Sequence, residues 1–119
     1  GKQSSPHALS FENERGVWKK SNYSACFNIK IDARNEIINL ESKCGKIYIK
    51  NWKLKNESRL IYTFPSIAVE RIRIHSSIGK DNKTDLFWDQ KNNVWNDPGD
   101  SLYLFDKDWK LVHYQHYGN

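Results

Sequence analysis

Four aspartates, Asp97, Asp100, Asp106 and Asp108, stand close together near the C-terminal end of the sequence. Carboxylates gathered like this could serve calcium, which takes about six to eight oxygen ligands. A helix-flanked calcium loop spaces its acids two apart and ends in Glu, and that spacing is absent here. The stretch Asn96-Asp97-Pro98-Gly99-Asp100 reads instead as turn chemistry. Asn and Asp hydrogen-bond their own backbone, Pro presets φ, and Gly takes positive φ. The histidines offer less. His113-x-x-His116 lies on an expected strand, where residues three apart face opposite sides and cannot easily share a metal. His75 ends a strand, and His7 stands in the polar N-terminus.

Two cysteines, Cys26 and Cys44, lie 18 apart with no CxxC, which speaks against a structural zinc site. In an oxidising compartment they could bridge neighbouring strands, and in a reducing one they would be small apolar residues. No GxSxG elbow, HExxH helix or glycine-rich phosphate loop occurs. The expectation is a chain that is not an enzyme and carries no metal or cofactor. A hydrolytic alternative would need His113 or His116 to meet Asp100 or a cysteine in the fold.

The basic residues make the other candidate. Lys46, Lys50, Lys53 and Lys55 alternate with Tyr48 and Trp52, and Arg71 and Arg73 share one face of a later strand. A sheet face with Lys and Arg beside exposed aromatics could track a phosphate backbone. The competing reading puts Trp52 in the core and uses the lysines to guard solvent and sheet edges.

What must position these residues is a set of short strands. Phe27, Ile29 and Ile31 share one face, with Asn28 and Lys30 opposite. Asp32-Ala33-Arg34-Asn35 turns into a second strand from Glu36, with Ile38 and Leu40 on one side. Ile47 and Ile49 share one parity and Trp52 and Leu54 the other, so the inward face slips at Lys50-Asn51, as a bulge or tight turn would cause. Leu60–Phe64 is stopped by Pro65. A second slip falls near Glu70-Arg71, between Ile67/Val69 and Ile72/Ile74. Leu86-Phe87-Trp88 is short, and Leu102–Phe105 and Leu111–Tyr117 close the chain. About seven to nine strands at this spacing suit a sandwich or barrel. The one helical turn to consider is near Glu12–Val17.

The totals agree with one folded domain. The chain has 119 residues, 38% hydrophobic and 13% aromatic, enough apolar mass to offset the entropy of ordering. No run approaches the roughly 18 apolar residues of a membrane span. Net charge is +5 and uneven: residues 1–83 carry 16 Lys/Arg against 8 Asp/Glu, whereas residues 84–119 carry 3 against 6. A basic surface of this kind attracts nucleic acid, anionic lipid or an acidic protein. Residues 1–10 read as a disordered or vector-derived N-terminus, 11–26 as a lead-in and 27–118 as the domain. No signal peptide is visible.

The stretch NEIINLESKCGKIYIKNWKLKNESRLIYTFP resembles the front half of a lamin-tail domain. The residues that carry the likeness are Glu36, Leu40, Ile49, Trp52, Leu54 and Tyr62-Thr63-Phe64-Pro65. Thr84-Asp85-Leu86-Phe87-Trp88 is similar to that family's Asp-Leu-aromatic-Trp segment. Trp95, Gly99 and Asp100, then Leu102, Leu104 and Asp106, resemble its last hairpin, closer to the prokaryotic and secreted type. Two features depart from the pattern: the hairpin after Phe-Pro is shortened to Ser66–Glu70, and Trp109 stands where Gly is common. The resemblance implies an immunoglobulin-like β-sandwich whose members are non-catalytic docking modules for proteins and, more weakly, DNA. It implies a protein partner, export or the cell surface for the secreted type, and the nucleus or cytoskeleton for the lamin type. The expected core is Ile29, Ile31, Ile38, Leu40, Ile49, Trp52, Leu54, Tyr62, Phe64, Ile72, Ile74, Trp88, Trp95, Leu102, Leu104, Val112 and Tyr114, with the Asn96–Asp100 turn anchoring the last hairpin. Three Asn-x-Ser/Thr sequons, at Asn22, Asn56 and Asn82, have meaning only in a eukaryotic secretory route.

Overall fold

A computed structural model describes residues 18–118, which are all-β. The expectations for His7, residues 1–10 and the turn at Glu12–Val17 lie outside the described residues. Ten strands follow in order: β1 (Phe27–Asp32), β2 (Ile37–Ser42), β3 (Ile47–Tyr48), β4 (Lys53–Lys55), β5 (Ile61–Thr63), β6 (Ala68–Val69), β7 (Arg71–His75), β8 (Asp85–Phe87), β9 (Gly99–Phe105) and β10 (Leu111–Gly118). They form two four-stranded sheets, β1-β2-β7-β8 and β10-β9-β4-β5, and a small pair, β3-β6. Every pairing is antiparallel except β7 with β8.

Alternation builds the interior, because successive strand side chains face opposite ways. Ile38 stands opposite Ile31 on β1 and Ile74 on β7, and Leu40 opposite Ile29 and Ile72. On the second sheet Leu54 is flanked by Tyr62 and Leu104. The inward faces of both sheets merge in one buried cluster that includes Trp52, Phe64, Trp88 and Trp95, the arrangement of a β-sandwich.

The two parity slips are the places where the chain leaves one pairing for another. At Lys50-Asn51 a turn with Asn51 at φ +66° carries the chain from β3 to β4. Ile47 and Ile49 are buried before the turn, Trp52 and Leu54 after it. At Glu70 the chain passes from β6 to β7.

Some expectations need correction. Tyr114 is outside the main core: it sits on the outer face of the second sheet, paired with Tyr103. Strand β9 is apolar on both faces. Its outward pair, Tyr103 and Phe105, is fully buried because Trp18, Leu111 and Tyr114 cover it. The Trp18 ring stands edge-on to Phe105 at 4.9 Å and to Tyr103 at 5.9 Å. Ile31 is half-buried, while Phe27, Ile47, Val69, Leu86 and Val94 join the core beyond the expected set. The bend of the last hairpin falls at Asp106–Lys110, between the two closing strands, and the proline turn stands before β9, which takes in Gly99 and Asp100. The proline turn anchors the hairpin. Asp100 accepts from the Asn96 N–H at 3.2 Å, and the Tyr117 hydroxyl donates to the Asn96 carbonyl at 2.6 Å. Gly118, at φ +75°, lies against the Pro98 carbonyl with no room for a Cβ.

Candidate docking cleft

The carboxylates of this fold bind mostly its own backbone. Glu36 accepts the N–H of Val94 at 2.6 Å and of Trp95 at 3.1 Å. Asp100 accepts Ser101 N–H at 2.8 Å and Glu57 N–H at 3.1 Å, and Asp106 accepts those of Asp108 and Lys110 at 2.9 and 3.0 Å. Asp108 pairs with Lys107. Among the described residues no three His, Cys, Asp or Glu side chains gather to hold a metal. The acidic cluster therefore holds turns, as its Asn, Pro and Gly neighbours suggest.

His113 and His116 point to opposite sides of β10: His113 meets Gln115, and His116 meets Ser101. The Ser101 hydroxyl donates to Glu57 at 2.6 Å and lies 2.7 Å from His116 Nδ1, while the Glu57 carboxylate is 3.4 Å from that same nitrogen. A nucleophile relay needs the acid on one ring nitrogen and the hydroxyl on the other. Here both meet Nδ1, and Ser101 is fully buried. The trio ties β9, β10 and the β4–β5 loop together. Asp100 takes the opposite side of β9, and the two cysteines are joined to each other.

The six basic residues do not share a face. Arg71 and Arg73 lie on the outer side of the first sheet, where Arg71 pairs with Glu41 at 2.8 Å and Arg73 with Asp85 at 2.7 Å. Asp85 also meets His75 Nε2 at 2.7 Å and the Thr84 hydroxyl at 2.6 Å. The Arg73 guanidinium, then these two bonds, hold its carboxyl well below the usual carboxylate range. Lys53 and Lys55 lie on the outer side of the second sheet, over the rings of Trp109 and Tyr103 at 5.2 and 4.5 Å. Lys46 stands near Arg71 and Lys83 beside β6. Arg71 and Arg73 line a shallow depression on the first sheet, and Lys46 and Arg71 one beside β6, whereas Lys50 lines the cleft where aromatic side chains gather.

That cleft, of about 410 Å³, opens at one end of the sandwich between three turns. Residues 22–25 supply Asn22 and Tyr23, the β3–β4 turn supplies Tyr48, Lys50 and Asn51, and the last hairpin supplies Lys107 and Lys110. Trp52 lines its wall, buried, with the Tyr23 ring tilted against it at 5.3 Å. The Cys26–Cys44 disulfide and the bond from Lys43 N–H to the Cys26 carbonyl fasten the Tyr23 turn to the β2–β3 loop. Tyr23 is 41%, Tyr48 58% and Trp109 39% exposed. The sequence reading picked out Tyr48, Trp52 and Lys50 but not Tyr23, Lys107 or Lys110. Tyr23 and the last hairpin are distant from each other and from the β3–β4 turn in sequence and meet only through the topology.

Six described residues other than glycine hold positive φ; Glu36, Arg59 and Asp89 lie elsewhere, and three stand on the turns around the cleft. Ala25, Asn51 and Trp109 hold positive φ, at +75°, +66° and +61°. Asn tolerates this region, but for a residue as large as Trp it is an outlier. No protein-family model and no curated protein sequence matches this chain.

Proposed function

We propose that this chain is a non-catalytic docking module for a protein partner, with the cleft between the three turns as its contact surface. The observation that carries the reading is the gathering of Tyr23 and Tyr48, both substantially exposed, around the Trp52 wall of one cleft, with the exposed Trp109 between two of its lining residues, Asp108 and Lys110. Aromatic side chains of this kind dominate the binding energy of protein interfaces. They lose little rotamer entropy on contact.

The likeness to lamin-tail domains supports the same reading, and with it an immunoglobulin-like form of the sandwich. Two residues that carry the likeness, Glu36 and Trp95, meet through the bonds that seat the segment after β8. A disulfide suits an oxidising compartment, so we read the module as exported or surface-attached. The nucleic-acid alternative is weakened by the scatter of its six basic residues over separate faces, two of them already paired to carboxylates.

Selection of a random twelve-residue peptide library on the immobilised protein tests the proposal. Peptides retained by the wild type and lost by Tyr48→Ser would support it. Enrichment indifferent to that substitution, or no enrichment at all, would overturn it.

A further inference from the structure

From this docking surface we infer the chemistry of its partner: an extended acidic peptide segment that seats an apolar side chain in the cleft and places flanking carboxylates against Lys50 and Lys110. The inference rests on the docking reading and adds charge to it.

Three observations carry it. The first is the charge of the cleft rim. The lining holds three lysines and two aspartates, but the aspartates are engaged. Asp106 is buried and accepts two backbone N–H groups, and Asp108 pairs with Lys107. Lys50 and Lys110 are exposed and hold no carboxylate among the described residues. Lys53 adds a third cation just outside, above the Trp109 ring. The lining is formally +1, three lysines against two aspartates, and its exposed charges outside an ion pair are the two cations Lys50 and Lys110, toward which complementary charge on a partner steers and aligns it.

The second is Trp109. The hairpin bend keeps a bulky side chain at φ +61°, where glycine would sit without strain. Its ring packs on Phe105 at 5.1 Å, yet 39% of the residue remains in solvent. The ring lies on the outer sheet face under Lys53, next to the cleft residues Asp108 and Lys110 and outside the lining itself, and a strained backbone that keeps an indole exposed there is the pattern of a binding anchor rather than of a core residue.

The third is size. The cleft is bounded by turns on three sides and takes one or two side chains, with the Asn22 and Asn51 amides available to a peptide backbone. A single strand of nucleic acid needs a longer groove that tracks successive phosphates. The arginines that could extend one lie on the other sheet, engaged with Glu41 and Asp85.

The test uses the isotope-labelled chain and two pools of random twelve-residue peptides. One pool has Asp or Glu at alternate positions, and the other has Asn or Gln there. A twelve-nucleotide oligo-dT is the third probe. The acidic pool is expected to shift the Trp109 indole and the Asn51 and Trp52 amides, at about tenfold lower concentration than the amide pool, as two rim charge pairs would give. Lys50→Glu with Lys110→Glu is expected to erase that difference. Trp109→Gly removes the strain along with the ring. It is expected to keep the denaturant midpoint at or above wild type while weakening the acidic pool at least fivefold. A structural tryptophan would do the reverse, lowering the midpoint with binding intact, and that result would overturn the anchor. Equal response to both peptide pools would overturn the acidic partner and leave the docking surface standing. A response to oligo-dT alone, or to none of the three, would overturn both.

Discussion

Asp85 meets Arg73, His75 and Thr84 within hydrogen-bond distance, and apart from its chain neighbour Thr84 no partner is suggested by its place in the sequence. Arg73 and Asp85 are twelve apart and become neighbours because β8 pairs with β7 in parallel. Charge-assisted bonds of this kind favour the ionised carboxylate, so its pKa in the fold lies below that of the unfolded chain. The sign follows from proton binding. Where the unfolded chain takes up the proton and the fold resists it, stability rises with pH. The contribution is complete above the unfolded value, about 3.9, and is lost as pH falls through the range below it. Asp85→Asn should therefore lower the urea midpoint at pH 7. The gap to wild type should narrow by pH 3. A gap unchanged between those two pH values would show that the carboxylate charge is not what the fold uses.

Turns, more than strands, carry the features that bear on function. Strand faces were legible because burial imposes a period of two, as in Phe27, Ile29 and Ile38, Leu40. The slip at Lys50-Asn51 was legible for the same reason. The outer face of β9 was not, since Tyr103 and Phe105 are apolar on a side that alternation assigns to solvent, and the cover from Trp18, Leu111 and Tyr114 accounts for it. The cleft was half legible. Of the lysine stretch read as a sheet face, Lys50 lies at the cleft with Tyr48 and Trp52, whereas Lys46, Lys53 and Lys55 do not, and Tyr23 and the last hairpin reach it only in three dimensions. The Tyr23 turn is held by the disulfide and by hydrogen bonds from Tyr23 N–H to Ser21 and from Cys26 N–H to the Tyr23 carbonyl. Closing an 18-residue separation stabilises a fold by about 3 kcal/mol. Replacing both cysteines by serine should lower unfolding free energy by that order in denaturant titration. It should also broaden the Tyr23 and Trp52 resonances while leaving β7 and β8 unchanged. Uniform change across the chain would mean the bridge supports the whole sandwich and not this turn.

At the scale of the molecule, the division of charge is the main result. Glu36, Asp100 and Asp106 face inward onto backbone amides, whereas Lys46 and Lys50 point outward. The formal +5 thus understates how basic the accessible surface is, because several of the acids that balance it are turned to the chain itself. Strand spacing alone gave the all-β class and left sandwich and barrel open. The scatter of the basic residues over separate faces could not be read that way, because face assignment needs the pairing of strands far apart in sequence.

One buried side chain sets a clock on this fold. Asn56 is 1% exposed, its amide donates to the Val94 carbonyl at 2.8 Å, and its oxygen accepts the Leu60 N–H at 2.9 Å. It is also the acceptor residue of a sequon, so in a eukaryotic secretory route an oligosaccharide at Asn56 and the native sandwich exclude each other. Asn22 and Asn82 are exposed and carry no such conflict. Sugar at the middle site would then record how long each chain lingered before closing its β4–β5 loop. Mass spectrometry should find it on retained chains and not on secreted, folded ones. Recovery of folded protein glycosylated at Asn56 would contradict this.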